Sequence, residues 1–328
     1  MGDVKNSVKL AFALGLGVAI VLIARAGAGD IASLLSRAGW ILLLLVPLQA
    51  LPMLLDVLGW RVLITQPVRI SALFLIACIR QAVNRLLPVA NIGGEIVGAR
   101  LLARRGVGGT AATASIVVEV LVALIAQFLF VSLGLMCLAW RTGDSRTSFA
   151  LLAGLMVVIP ALGFMILALW SGRVFFRAEQ QVKRLFGRWL EGQDSLIRGA
   201  DLDAAIRDLL AARARMSAAL AWQFAGYVAG SLETWLALRW LGNPVTAVEA
   251  IVIESLTQAA RSLFFMVPAA VGVQEAGLIG SMSLFGLAPD VALALSLAKR
   301  MREILFGIPA LAAWHWMEGV PNRGSVLK

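Results

Sequence analysis

Arg80, Asn84 and Arg85 close one long apolar stretch, and Glu95 stands just beyond the Pro and Gly residues that interrupt it. A second apolar stretch carries Glu254, Gln258 and Arg261 at i, i+4 and i+7, which puts all three on one helical face. It is interrupted in the same way, and Gln274 and Glu275 follow the break. Lys299, Arg300, Arg302 and Glu303 lie well inside a third stretch, and Asp56, Glu119 and Glu233 complete the set. An ionisable side chain at the centre of a membrane helix costs roughly 2.5–3.5 kcal/mol on insertion scales, so a group this large demands pairing or a wet pathway. The chemistry it suits is a polar cavity. Arginine forks grip an anionic headgroup, and carboxylates pair with the cations, relay protons or hold broken backbone. Structural pairing accounts for single residues, above all Lys299 with Glu303 at i and i+4. Six basic residues at depth go beyond it. Glu95 and Glu275 are candidates for fixing the two loop tips, and Glu119 or Glu254 for carrying a coupling proton.

The elements that must position these residues are membrane helices. Of 328 residues, 60% are apolar and 15% charged, whereas soluble domains run near 45–50% apolar and about 25% charged. The mean hydropathy is +0.87. Long apolar runs, rather than alternation over about ten residues, exclude an outer-membrane barrel. Spans of about 20 apolar residues are expected at 8–28, 39–58, 110–139, 148–170, 216–241 and 290–317. A secretory signal ending near Ala24-Arg25-Ala26 is the alternative for the first, disfavoured because the rest of the chain is polytopic. Residues 70–105 and 247–285 differ, because Leu87-Pro88 through Gly93-Gly94 and Val267-Pro268 through Gly272 break them. Proline removes a backbone donor and glycine permits sharp turns, and non-helical backbone at membrane depth survives only inside protein or beside water. Each stretch is therefore expected to form a re-entrant hairpin of two half-length helices.

Offsetting the chain by 180 residues aligns Trp60 with Trp240, Pro88 with Pro268, Glu95 with Glu275 and Gly106 with Gly286. This predicts an internal duplication within one transmembrane domain spanning 1–328, with repeats at about 8–140 and 148–317. Placing the N-terminus, 59–69, 98–109, 172–215 and the tail in the cytoplasm puts 18 of 29 Lys and Arg there. Both termini then face the cytoplasm, the hairpins open to opposite sides and the repeats are inverted, the plan of many secondary transporters. The expected fold class is all-α: a polytopic bundle of about six spans plus two re-entrant helical hairpins in inverted repeats. The insertion 172–215 carries Phe175, Phe176, Val182, Leu185, Phe186, Trp189 and Leu190 at near-helical spacing. It reads either as an amphipathic helix on the cytoplasmic leaflet or as a loop helix packing on the bundle.

A net charge of +10 belongs to loops that face anionic headgroups rather than to nucleic-acid binding. Cys78 and Cys137 share no metal-ligand spacing, and no metal or other cofactor is expected. His315, beside Trp314 and Trp316, reads as an interfacial residue, as do Trp40, Trp60, Trp140, Trp170 and Trp240. No HExxH, GxSxG, Walker A or GxGxxG context is present, and no nucleophile has an adjacent base, so an enzyme is not expected.

Three stretches together resemble a known family. They are Val83-Asn84-Arg85-Leu86-Leu87-Pro88 through Gly93-Gly94-Glu95 to Ala99-Arg100-Leu101-Leu102, Val267-Pro268 through Gly272-Val273-Gln274-Glu275, and Leu297-Ala298-Lys299-Arg300-Met301-Arg302-Glu303-Ile304-Leu305. They resemble the flippase-like transmembrane domain of lysylphosphatidylglycerol synthases, closest to the hopanoid-biosynthesis-associated membrane proteins of bacteria. The resemblance implies a multi-pass inner-membrane protein that moves a lipid, either a hopanoid or an anionic glycerophospholipid, between leaflets, with hopanoid biosynthesis or export proteins as partners. It does not extend to the soluble domain that full-length synthases carry, so lipid aminoacylation is not implied. The sequence departs from the family pattern at Arg85 and at Ala269-Ala270. A membrane enzyme that modifies a polyprenyl or hopanoid lipid, and a non-transporting scaffold for hopanoid enzymes, are the alternatives.

Overall fold

The computed structural model describes residues 33, 35–86, 93–142, 163–177, 199–263 and 272–319, and among these there is helix and no strand. A 3-10 turn, Gly39–Leu44, and a short helical turn, Leu45–Leu48, lead into α1 (Ala50–Leu63). There follow α2 (Ile70–Leu86), α3 (Gly93–Ala103) and α4 (Gly109–Thr142). After the insertion come α5 (Gly199–Ala211), α6 (Arg213–Trp240), α7 (Ala247–Leu263), α8 (Val273–Ser283) and α9 (Pro289–Gly319). Two stretches, Leu35–Leu63 and Gly109–Arg141, are long and apolar enough to cross a membrane on composition alone. Helices α6 and α9 have 28 and 31 residues, so length suffices, but both carry charged residues in their interiors. The expected span 8–28, most of 148–170, the hairpin tips 87–92 and 264–271 and the apolar positions Val182 to Leu190 lie outside the described residues.

The interrupted stretches form matched pairs of short helices. Helices α2 and α7 each have 17 residues, and α3 and α8 each have 11. Helix α2 is described as far as Leu86. Helix α3 lies against α2 so closely that a Cβ on Gly94 would come within 2.3 Å of the Arg80 carbonyl oxygen. Gly98 continues that contact against the Arg80 side chain, and Gly277 brings α8 onto Ala260 of α7. Both short helices end in glycines with positive φ, Gly106 at 90° and Gly286 at 71°. This left-handed C-terminal turn lets the chain reverse into α4 and α9.

The two halves exchange contacts in a matched way. Helix α7 runs antiparallel to α4, with Arg141 on Glu249, Gly134 against Ser255, and Gln127 against Gln258 and Ser262. Helix α9 meets α2 where Gly307 packs on Ala82 and Leu86. Gly307 lies 180 residues after Gln127, and Ala82 lies 180 before Ser262, so these two crossings match at that offset. The apolar core has three centres. One joins α6, α8 and α9, one joins α1, α2 and α3, and one sets α4 against the insertion.

The apolar positions from Val182 to Leu190 on which the two readings of the insertion turn lie outside the described residues, but the end of the insertion packs on the bundle. Leu202, Ile206 and Leu210 of α5 are buried with Leu121 and Val122 of α4. The buried Asp203 carboxylate accepts the backbone N–H groups of Phe175 and Phe176 at 3.2 and 2.9 Å, capping the short turn 174–177.

Candidate functional site

Between these centres lies a cavity of about 370 Å³. Asp56 of α1, Arg80, Gln81, Asn84 and Arg85 of α2 and Glu95 of α3 form one side. Glu119 and Gln127 of α4, Tyr227 of α6, and Gln258, Arg261 and Ser262 of α7 form the other, with Gln49 and Met53 completing it. The C-terminal ends of both interrupted first helices, α2 and α7, thus open onto one polar space.

Arg80 is the anchor of the first half. Its Nη2 donates to Glu95 and, at 2.6 Å, to Glu119. Its guanidinium carbon sits 4.8 Å above the Trp60 ring. Glu119 also accepts from Gln223 at 3.4 Å. Asn84 ties the break together, since its Nδ2 donates to Glu95 at 3.2 Å and its Oδ1 accepts the Gly94 N–H at 2.8 Å. Trp60 corrects the interfacial reading. It is 1% exposed and donates to Ser115 at 3.2 Å, so it forms the floor under Arg80. By contrast Trp40, Trp140, Trp170 and Trp316 are exposed, and so is His315.

In the second half the pairing differs from the i to i+4 expectation. Lys299 donates to Glu254 at 2.5 Å rather than to Glu303, and Glu254 also accepts from Thr234 at 2.6 Å and Gln258 at 3.2 Å. Position 299 is the 180-residue equivalent of Glu119. Each half therefore holds a buried ion pair between its interrupted first helix and its last helix, Arg80 with Glu119 and Glu254 with Lys299, with the charges reversed. Arg302 is taken by Glu233 and Gln49. Glu275 accepts the Gly272 N–H at 2.7 Å and the Arg300 Nε–H at 2.8 Å, and Ser296 donates to it at 2.9 Å. Gln274 accepts from Arg261 at 3.0 Å and donates to Ser296 at 3.1 Å.

The candidate residues consequently fall into three groups. Arg80, Asn84, Arg85, Glu95, Glu119, Gln258 and Arg261 line the cavity. Glu254, Gln274, Glu275, Lys299 and Arg300 stand behind it in paired clusters, and Arg302 and Glu303 border a much smaller adjoining space. Glu303 is the loosest centre: one of its oxygens lies 3.8 Å from Arg302, 3.9 Å from Arg261 and 4.0 Å from Arg85. The space is not simply cationic. The six deep basic residues face Asp56, Glu95, Glu119, Glu233, Glu254, Glu275 and Glu303. Glu119 and Glu254, the candidates for a coupling proton, are both held in buried ion pairs. Among the described residues no group of three or more His, Cys, Asp or Glu is placed to hold a metal ion.

Sequence reasoning did not name Gln49, Gln81, Gln127, Tyr227 or Ser262 for this wall. A signal existed, because amides in apolar stretches commonly bridge membrane helices, and Tyr227 is the single tyrosine of the chain. Gln127 does bridge, accepting from Tyr227 at 3.4 Å and donating to the Gln258 carbonyl at 3.2 Å.

The family described as the lysylphosphatidylglycerol synthase transmembrane region matches residues 8–310. No curated protein and no solved structure matches the chain.

Proposed function

The chain belongs to the lysylphosphatidylglycerol synthase transmembrane-region family and is a membrane protein with a lipid-related function; from that premise we propose that it moves a lipid from one leaflet to the other. The observation that carries the reading is the cavity, a polar space walled by the ends of α2 and α7, one from each half, inside a bundle whose outer surface is apolar. The headgroup crosses through that space and the tails stay in the surrounding lipid. The two interrupted helix pairs act as re-entrant hairpins that enter from opposite faces, in inverted repeats. Glu95 and Glu275 hold their second helices in place. A hopanoid, which the resemblance to the hopanoid-associated subgroup implies, and a glycerophospholipid are both cargo of this kind, and the setting is the bacterial inner membrane with cytoplasmic termini.

Transport is favoured over catalysis by the state of the cavity's hydroxyls. Tyr227 donates to the side-chain amide oxygen of Gln127 and Ser262 to the backbone carbonyl of Gln258, so neither is paired with a base that would activate it.

Reconstitution into vesicles that carry a fluorescent lipid in both leaflets, followed by quenching from outside, tests the proposal. Protein-dependent loss of the protected fraction is expected, and the double variant Arg85→Gln with Arg261→Gln abolishes it while remaining folded and inserted. A protected fraction equal to that of protein-free vesicles would overturn the reading.

A further inference from the structure

The hydrogen-bonding groups left over on the cavity wall are of two kinds. On the donor side, Arg261 donates through Nη1 to Gln274, while its buried Nη2 makes no hydrogen bond and lies 3.9 Å from Glu303; among the described carboxylates Arg85 approaches the same Glu303, at 4.0 Å. On the acceptor side, Gln81 Oε1 is buried without a partner. The Asp56 carboxylate packs against Gly226, where a Cβ would come within 2.3 Å of Oδ1, and no ion pair links it to another described residue. Such orphaned groups are costly in a buried site and mark where a ligand belongs.

Formal charge sharpens the point. The wall sets Arg80, Arg85 and Arg261 against Asp56, Glu95 and Glu119, and is neutral before Glu303 is added. Arg80 is consumed by Glu95 and Glu119. Arg85 and Arg261 share the one carboxylate of Glu303, so a net anion would answer the positive charge left over there but would leave Asp56 unanswered. A net cation would do the reverse. A group carrying both charges answers both, and an isolated charge buried here would be heavily penalised.

We infer that the cavity takes a zwitterionic headgroup, a phosphate with a primary ammonium a few bonds away. Arg85 and Arg261 hold the phosphate through their planar forks. Asp56 takes the ammonium, whose three donors also supply Gln81. The cavity volume of about 370 Å³ falls in the range of small-ligand sites, enough for a headgroup and not for acyl tails. This rests on the lipid-transport reading and names the headgroup class that it leaves open.

Native mass spectrometry of the purified full chain, titrated with equal amounts of phosphatidylethanolamine and phosphatidylglycerol of matched tails, tests the inference without requiring flux. Retention of phosphatidylethanolamine about tenfold above phosphatidylglycerol is expected, the ratio that one hydrogen bond to a charged group supports. Asp56→Asn removes the preference and Asp56→Glu keeps it. Phosphatidylcholine, whose ammonium has no hydrogen to donate, is retained less than phosphatidylethanolamine by the wild-type chain. Equal or greater retention of phosphatidylglycerol, or an unchanged preference in Asp56→Asn, overturns the inference. A chain that prefers phosphatidylethanolamine yet moves no lipid in vesicles overturns the transport reading and leaves the headgroup assignment standing. A chain that moves lipids with no headgroup preference does the opposite.

Discussion

Arg80 and Arg85 lie on one helix and do different work. Arg80 is 8% exposed and holds two carboxylates at once, so Arg80→Ala leaves Glu95 and Glu119 facing each other without a cation. Breaking a buried pair in this way costs about 3–5 kcal/mol, and a large fall in the thermal midpoint in detergent is expected. Arg85 has its nearest carboxylate at 4.0 Å. Arg85→Gln therefore changes stability by less than about 1 kcal/mol, while vesicle flux falls. Equal destabilisation by the two substitutions would show that both are structural. The reversed pairs in the two halves make a further test. If either polarity is accommodated, Glu254→Lys combined with Lys299→Glu recovers most of the stability that each single change loses, and a double-mutant cycle on thermal midpoints measures the recovery.

Among the elements, close approach of the short helices to their partners depends on small residues. A Cβ at Gly94 would meet the Arg80 carbonyl at 2.3 Å, whereas one at Gly280 on α8 meets nothing within 4 Å. Gly94→Ala must push α3 off α2 and is expected to cost about 1–3 kcal/mol. Gly280→Ala is expected to be neutral or to stabilise by up to about 1 kcal/mol through helix propensity. Thermal unfolding of the two variants side by side checks the contrast. The 174–177 turn gives a second element-scale case, because Asp203 is 1% exposed and caps two N–H groups. Asp203→Ala is expected to cost about 1–2 kcal/mol, as lost caps do, and to raise proteolytic cleavage between 171 and 212.

For the molecule as a whole, the exchange of contacts between halves makes a prediction about the bilayer. If α2–α3 and α7–α8 enter from opposite faces, the turns that follow α3 and α8 face opposite sides. Arg105 and Leu284 are exposed in those turns. With Cys78 and Cys137 replaced by Ala, single cysteines at these two positions are expected to react with a membrane-impermeant thiol reagent from opposite sides, position 105 from the cytoplasm. Labelling of both from one side would exclude inverted repeats, whatever the lipid.

Local pattern and composition carried the all-helical membrane class and the division of each interrupted stretch into two short helices, because hydropathy, proline and glycine act on the chain within a few residues. The face shared by Glu254, Gln258 and Arg261 was equally legible, since 3.6 residues per turn sets it. Partnership was not. Lys299 bonds Glu254 on α7 instead of Glu303 one turn along its own helix, and Trp60 lies beneath Arg80 instead of at a headgroup boundary. Asp56, Gln81, Gln127 and Tyr227 become one wall although they belong to four helices. Side-chain spacing states only which way a residue points from its own helix axis, whereas which carboxylate neutralises which guanidinium, and which groups are left over, depends on how helices far apart in the chain cross.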